Sequence, residues 1–306
     1  MKFYKILILS LFITSLAHSD IRREFPSYNY ILTEFDLDES FIDNPIFQRF
    51  VQKNKNEYRV RFIKAMKRGN LIVPTLRKIL EDRDMSYNFL YISMLESNFK
   101  PDATSRTGAG GLWQIATNTA PDLKLKMNRS LDERYDPIKS TNAAIGYLNR
   151  INGNLNKWYL TTMAYNCGMG CVQKSLKRAR TDDLSELINP RNNYIREETR
   201  DYIQRILLMA MIGENYLFSD YDSTGEMVHR INDDKITAVQ VRSGERLSNL
   251  ASILNMNKVY LERINIHLKN GRTPNGYKMN IPTSKVAMFN ARYAANMRQN
   301  NKYARR

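Results

Sequence analysis

Between residues 44 and 218, apolar residues recur every three or four positions, as in Phe47, Phe50 and Val51. This is the period at which one face of an α-helix returns. The chain is therefore predicted to be mainly α-helical over this region. Downstream of residue 120 the same spacing predicts helices at residues 140–150, 157–165, 170–179 and 196–216.

The stretch before this region has a weaker pattern. Residues 20–43 contain Pro26, several tyrosines and an acidic segment, EFDLDES. Such a composition is typical of irregular structure. We expect an irregular beginning to an otherwise helical N-terminal arm that covers residues 20–74.

The pattern changes again after residue 218. Residues 219–235 are polar and acidic, which predicts a linker. Alternating apolar and polar residues at 236–241 predict a strand, and Tyr277 to Ile281 predicts a return strand after two amphipathic helices. The fold expected for residues 236–285 is therefore a small β-α-α-β module.

Composition limits the classes of function. The 306 residues, 42% of them hydrophobic, suffice for one full catalytic domain and a small second module. The net charge of +16 suits an anionic partner, but the basic residues do not form a recognisable RNA-binding motif, so we predict no nucleic-acid partner. The three histidines have no paired spacing, so we expect no metal site and no cofactor.

The first nineteen residues have the pattern of a signal peptide. A basic start at residues 1–5 precedes an apolar run from Ile6 to Leu16, and Ala17 and Ser19 place small residues where a signal peptidase acts. The run is too short to span a bilayer comfortably, which disfavours an uncleaved anchor. No cysteine follows it, so a lipoprotein anchor is not supported. We predict that residues 1–19 are a signal peptide, that cleavage occurs near Ser19, and that the protein is periplasmic.

Glu96 follows the apolar run Phe89 to Leu95, so we predict it at the C-terminal end of a largely buried helix. Desolvation and the negative end of a helix both raise a carboxyl pKa. A carboxyl group that stays protonated near neutral pH suits the cleavage of a glycosidic bond. On position alone, a surface glutamate with a basic partner remains the stronger interpretation.

Four motifs change that balance. Residues 96–114, ESNFKPDATSRTGAGGLWQ, contain the first two, a Glu-Ser motif and a glycine-containing motif. The third is AYNCG at 164–168 and the fourth is ETRDY at 198–202. In this order the motifs resemble the signatures of family 1 lytic transglycosylases, whose lysozyme-like fold is related to goose-type lysozyme. The resemblance implies a catalytic domain at residues 75–218. Upstream, Asn44-Pro45 and the paired helices resemble the membrane-bound lytic murein transglycosylase D group of that family.

The resemblance implies a reaction. Glu96 would protonate the oxygen between N-acetylmuramic acid and N-acetylglucosamine and then accept the proton of the muramic 6-hydroxyl, giving a 1,6-anhydro sugar. Two positions depart from the family pattern, since Ala116-Thr117 replace Met-Pro and no proline follows Tyr202. The residues implied in substrate binding are Ser105, Gln114, Tyr165, Asn166, Glu198 and Tyr202.

The C-terminal module resembles LysM, a β-α-α-β unit that binds glycans containing N-acetylglucosamine. The matching residues include Asn265 and the Ile281-Pro282 pair, whereas Glu245-Arg246 replace the usual Asp-Thr. We expect the module to be independent, with few contacts to the rest of the chain. Its implied glycan-binding residues are Ser243, Gly244, Glu245, Leu247 and Pro274.

Two local features keep two interpretations each. Cys167 and Cys171 form either a disulfide, which an exported protein tolerates, or two small buried thiols. The basic tail at 286–306 is expected to be a solvated, partly disordered end. The alternative is an amphipathic helix, with Phe289 and Tyr293 on one face, that associates weakly with the inner membrane or the wall.

Three functions therefore compete. The first is a lytic transglycosylase that acts as a monomer on peptidoglycan glycan strands. The second is a muramidase, in which water attacks the same bond. The third is a non-catalytic scaffold that binds the wall through its LysM-like module.

Overall fold

A computed structural model describes residues 20–218 and 234–303. The predicted signal peptide at 1–19 and nearly all of the predicted linker lie outside the described residues. The chain divides into two compact units, one of Met1–Ile63 with Arg150–Val228 and the other of Lys64–Asn149 with His229–Arg306.

The described residues are mainly helical, as predicted, and contain one small sheet. Its antiparallel strands are β1 (Ile236–Gln240) and β2 (Lys278–Pro282). The helices in chain order are α1 Asp20–Glu24, α2 Tyr28–Glu34, α3 Pro45–Gly69, α4 Val73–Glu81, α5 Leu90–Ser97, α6 Pro137–Leu155, α7 Trp158–Cys167, α8 Met169–Ala179, α9 Leu184–Leu187, α10 Glu197–Phe218, α11 Leu247–Ile253, α12 Lys258–Ile264 and α13 Val286–Tyr303.

The N-terminal arm belongs to the core of the first unit. Phe25, Ile31 and Phe35 are fully buried, and α2 packs against α10. Asp36 accepts a hydrogen bond from the backbone N–H of Trp158 at 2.7 Å, which satisfies a donor at the start of α7. The prediction of irregular structure at 20–43 is therefore wrong, because Pro26 separates two short helices instead of preventing them.

In the second unit, α4 and α5 pack together, joined by a short 3-10 turn that begins after Ser86. Ser86 caps this turn by accepting a hydrogen bond from the backbone N–H of Asn88. Trp113 is fully buried and donates through Nε1 to Thr141 at 2.9 Å. This tryptophan is therefore a core residue.

The C-terminal module has the predicted β-α-α-β order. Ile236 pairs with Pro282 and Gln240 with Lys278 at the two ends of the antiparallel ladder. Asn265, fully buried after α12, accepts from the backbone N–H of Asn280 and donates to its carbonyl, each at 2.7 Å. This side chain therefore connects the second helix to the return strand.

The module is not independent of the rest of the second unit. The backbone N–H of Asp132 donates to the carbonyl of His267 at 2.9 Å, and that of Lys269 donates to Ser130 at 3.1 Å. Thr75 of α4 accepts from the backbone N–H of Ile236 at 2.7 Å. The expectation of few contacts is therefore wrong, because backbone groups on both sides pair with each other.

The tail is a helix through Tyr303 and not a disordered end. Phe289 and Tyr293 stack on one another and are buried within the second unit. The Tyr293 hydroxyl accepts a hydrogen bond from the backbone N–H of Arg242 at 2.9 Å. The apolar face of the tail helix, which could have contacted a membrane, therefore packs against the module. Within residues 20–218 and 234–303, no helix has the length and apolarity that a membrane crossing requires.

Candidate active site

Glu96 lies in the last turn of α5, where it was predicted. The preceding residues from Leu90 to Met94 are buried, whereas Glu96 is half-buried and reaches solvent with part of its side chain. Asn98 then adopts a left-handed conformation (φ 51°) and ends the helix. The carboxylate is thus presented at the rim of a buried helix end, as a catalytic acid requires.

Ser93 connects α5 to the loop that follows it, and Ser97 bonds back within the helix. The Ser93 hydroxyl donates to the carbonyl of Leu112 at 3.0 Å, and the Ser97 hydroxyl donates to the carbonyl of Ser93 at 3.0 Å. Both serines are buried. The helix that carries Glu96 is therefore tied to the glycine-containing motif at residues 108–114.

The glycines of this motif are required by packing. A Cβ on Gly111 would lie 2.0 Å from the carbonyl oxygen of Arg134, and a Cβ on Gly110 would lie 2.8 Å from the ring of Tyr135. Gly111 also has φ 78°, which disfavours other residues. Loop geometry and close packing therefore account for these glycines.

Ser105 and Gln114 hold the same loop. The Ser105 hydroxyl accepts a hydrogen bond from the backbone N–H of Ala109 at 3.0 Å. The Gln114 amide donates to the carbonyls of Ala103 at 3.1 Å and Gly111 at 2.8 Å. In this structure both side chains stabilise the loop beside α5.

Arg134 is a buried residue of this region that the sequence reasoning missed. Its guanidinium donates to both carboxylate oxygens of Asp132, at 3.0 and 2.9 Å, and to the carbonyls of Gly108 at 2.6 Å and Ile115 at 3.2 Å. Hydrogen bonding to Asp132 raises the pKa of Arg134. The cation thereby braces both sides of the glycine loop, a role that no short motif announces.

The remaining candidate residues belong to the first unit. Asn166, on α7, accepts a hydrogen bond through Oδ1 from the Thr199 hydroxyl of α10 at 2.7 Å. Tyr165 is half-buried, and Tyr202 is 5% exposed. Asn166 and Glu198 border a cleft of about 680 Å³. Thr199 lies within the fourth motif but was not singled out, although it fixes the Asn166 amide.

A disulfide joins Cys167 and Cys171, whose Cα atoms are 5.8 Å apart. The loop between them begins at Gly168, whose φ of 88° allows α7 to end and α8 to begin at once. Of the two alternatives for these cysteines, the structure has the disulfide. Both residues line the cleft that Asn166 borders.

The implied glycan-binding residues of the module differ in accessibility. Ser243 and Gly244 are exposed, and Pro274 is partly exposed. Leu247 is only 3% exposed, so its side chain belongs to the core of the module and not to its surface. Glu245 accepts a hydrogen bond from the Tyr293 hydroxyl at 3.2 Å, an interaction that the helical tail makes possible.

Besides Glu96, the second unit contains an acidic region that packs against the C-terminal module. Asp136 accepts from the Tyr277 hydroxyl at 3.0 Å and lies 3.5 Å from Nε2 of the fully buried His267. Burial lowers the pKa of His267 and raises that of Tyr277, so both are neutral near pH 7. Across the described parts of the chain, no three His, Cys, Asp or Glu residues group so as to hold a metal ion.

Comparison with known proteins shows that part of this chain is similar to transglycosylases. The Transglycosylase SLT domain model matches residues 77–188. Membrane-bound lytic murein transglycosylase D of Escherichia coli K12 is 34% identical over 141 residues, which cover 44% of this chain and 30% of that protein. Membrane-bound lytic murein transglycosylase C of Haemophilus ducreyi is 28% identical over 157 residues, which cover 47% of this chain and 41% of that protein.

Among solved structures, an inactive mutant of the lytic transglycosylase Slt from Pseudomonas aeruginosa aligns with a TM-score of 0.40 and 27% identity. The alignment covers 46% of this chain and 24% of that one. This chain thus spans less than half the length of the relatives that it matches. The segment that is similar to the Transglycosylase SLT domain, residues 77–188, contains Glu96, Ser105, Gln114, Tyr165 and Asn166.

Proposed function

We propose that this chain is a peptidoglycan lytic transglycosylase with Glu96 as its catalytic acid and base. The observation that carries the proposal is the similarity of residues 77–188 to the Transglycosylase SLT domain. Within that segment the one glutamate of the Glu-Ser motif occupies the solvent-reaching end of a buried helix. The lytic murein transglycosylases among its relatives support the same substrate class.

The proposed reaction needs one carboxyl group. Protonated Glu96 gives its proton to the glycosidic oxygen as the bond from that oxygen to the anomeric carbon of N-acetylmuramic acid breaks. The muramic 6-hydroxyl attacks the anomeric carbon and returns its proton to Glu96. The glutamate is thereby restored, and the products are a 1,6-anhydromuramic end and a free N-acetylglucosamine end. The acetamido group of the sugar stabilises the developing positive charge, so no second carboxylate is needed.

The other motif residues take supporting roles in this proposal. Tyrosine hydroxyls and amides bind sugars because they both donate and accept hydrogen bonds, and we assign this role to Tyr165, Asn166 and Tyr202. Glu198 borders the same cleft as Asn166 and is assigned to substrate binding with it. Ser105 and Gln114 are assigned to positioning, because their hydrogen bonds hold the loop that follows the Glu96 helix.

Mass spectrometry of digested peptidoglycan sacculi tests the reaction. A lytic transglycosylase releases muropeptides that end in 1,6-anhydromuramic acid, because the attacking oxygen belongs to the sugar. A muramidase releases muropeptides with reducing muramic ends, and a scaffold releases neither. Anhydro products are the expected result, and reducing ends as the main product would overturn the proposal.

We further propose that the C-terminal module is a LysM-type glycan-binding module in an exported, periplasmic protein. Its β-α-α-β order, with an asparagine that links the second helix to the return strand, supports this assignment. Ser243, Gly244 and Pro274 offer the accessible surface, while Glu245 supports the loop through Tyr293. Binding to the polymer raises the local concentration of substrate for the catalytic region.

Cosedimentation of the full chain with insoluble sacculi tests this role. Ser243→Glu places a carboxylate in the exposed loop and is expected to weaken binding, which chitin oligomers should also inhibit. Ser252→Glu makes the same change at an exposed position of α11 outside the loop and serves as the control. Equal sedimentation of both variants and the wild type would contradict the loop assignment.

A further inference from the structure

The cleft beside Asn166 has a second wall that the motifs do not describe. Its volume of about 680 Å³ lies in the range of roughly 300–1,000 Å³ typical of sites for small molecules. One wall is α8, which contributes residues from Cys171 to Arg178, and another is the segment that leads into α10. The lining residues outside the motifs include Lys174, Ser175, Arg178, Asn193, Tyr194 and Arg196.

This cleft is basic. Lys174, Arg178 and Arg196 line it and are all exposed, whereas Glu198 is the one carboxylate among its lining residues. Neither Lys174 nor Arg196 forms an ion pair with a carboxylate anywhere in the described residues. The positive charges therefore remain available to a ligand, and the cleft has three basic side chains against one acidic side chain.

The backbone that carries these charges is held firmly. Val172, Ser175 and Ile195 are buried, which anchors both walls. The Ser175 hydroxyl donates to the carbonyl of Cys171 at 2.9 Å, next to the disulfide. A cleft with anchored walls is largely pre-formed, so binding does not require it to be ordered first.

We propose that this cleft binds the carboxylates of the peptide stem that N-acetylmuramic acid carries in peptidoglycan. The inference rests on the proposed function. Asn166 and Glu198, assigned to the glycan, border the cleft, so a ligand there is continuous with the sugar chain. N-acetylglucosamine is neutral and needs no cations, whereas the stem offers carboxylates that lysine and arginine bind by charge-assisted hydrogen bonds. Lys174 and Arg196 therefore determine a preference for strands that retain their stems.

The test compares two substrates for each enzyme. One is a set of glycan strands with intact stems, and the other is the same set after an amidase has removed the stems. Lys174→Glu combined with Arg196→Glu is expected to lower the ratio of kcat/KM for stem-bearing over stem-free strands by about tenfold or more, because charge-assisted hydrogen bonds are lost and repulsion replaces them. The effect should appear in KM and should diminish at high salt.

Lys177→Glu is the matched control, since Lys177 is exposed on the same helix but does not line the cleft. It should leave the ratio unchanged, and thermal melting should show that all variants are folded. An unchanged ratio in the double variant, or an equal loss on both substrates, would overturn the inference. If the wild type cleaves neither substrate, the proposed function has failed, and equilibrium binding of a stem-bearing disaccharide then decides the inference. Wild type must bind it about tenfold more tightly than the double variant.

Discussion

Two acidic regions of the second unit differ in how deeply they are buried. Glu96 keeps part of its side chain in solvent at the end of α5. Glu133 and Asp136, by contrast, are 1% and 4% exposed beneath the C-terminal module. Asp136 also caps α6 by accepting from the backbone N–H groups of Ile138 and Lys139, at 2.9 and 3.1 Å.

Burial alone does not identify a catalytic acid. Each buried carboxylate is occupied by partners that belong to the fold. Glu133 accepts from the backbone N–H of Lys126 at 2.7 Å and pairs with Lys139 at 3.2 Å. A group that must exchange a proton with a substrate needs access to it, and Glu96 has that access. The buried acids should therefore govern stability, and Glu96 should govern activity.

The largest effect is expected at Glu96. Glu96→Gln keeps the shape of the side chain but removes the proton donor, so cleavage of sacculi should fall about 10²-fold or more. The free energy of unfolding should hardly change. Glu81→Gln, at an exposed glutamate of α4, is the control and should retain activity. Retention of most activity by Glu96→Gln, measured as release of soluble muropeptides, would remove the assignment.

A smaller effect, on stability, is expected at Asp136. Asp136→Ala removes the cap of α6 and the acceptor of the partly buried Tyr277 hydroxyl, which should lower the free energy of unfolding by about 2 kcal/mol. Asp82→Ala, which breaks an exposed pair with Lys78, should cost about 0.5 kcal/mol or less. Denaturant unfolding measures both.

The test of Asp136 also needs the activity of the variant, measured under conditions in which it is folded. The folded Asp136→Ala protein should cleave sacculi at nearly the wild-type rate, because the residue acts on stability. If this variant proved as stable as the wild type but inactive, the contrast between the two acidic regions would be lost.

The smallest effect is the pH dependence due to His267. Burial is the main cause of its lowered pKa, opposed by Asp136 and Glu133 and assisted by Lys139. Because the folded pKa lies below the unfolded value of about 6.5, the unfolded chain binds the proton first as pH falls. Stability is therefore lost progressively as the pH falls below about 6.5. His267→Phe should lack this loss in parallel denaturant titrations, and curves that run parallel at every pH would refute the prediction.

Much of the secondary structure could be predicted from local patterns. Apolar residues that recur every three to four positions located the main helices, and alternating ones located both strands. This works because helices and strands depend on residues that are close in sequence. The same patterns failed at Pro26, where the proline separates two short helices whose flanking residues Phe25 and Phe35 are fully buried. They also failed at the tail, where Tyr293 is buried only because Arg242 and Glu245 lie against it.

The candidate site was predictable to the extent that it is contained in motifs. Glu96, Asn166 and Glu198 stand in short signatures, and the sequence alone singled them out. Lys174 and Arg196 could not be chosen among 47 lysines and arginines, because only folding brings α8 and the start of α10 to one cleft. Asp136 likewise has no signal of its own, since its partner Tyr277 follows 141 residues later.

That distance along the chain has a consequence for synthesis. A ribosome completes Asp136 long before it adds Tyr277 and His267, so the nascent second unit carries acids whose partners do not yet exist. Until then these side chains remain hydrated, and the backbone N–H of Asp132 lacks its acceptor on His267. Chains released early, or cut between the two halves of this unit, therefore expose unpaired polar groups to proteases. These polar groups of the second unit therefore become paired only after the C-terminal module has been synthesised.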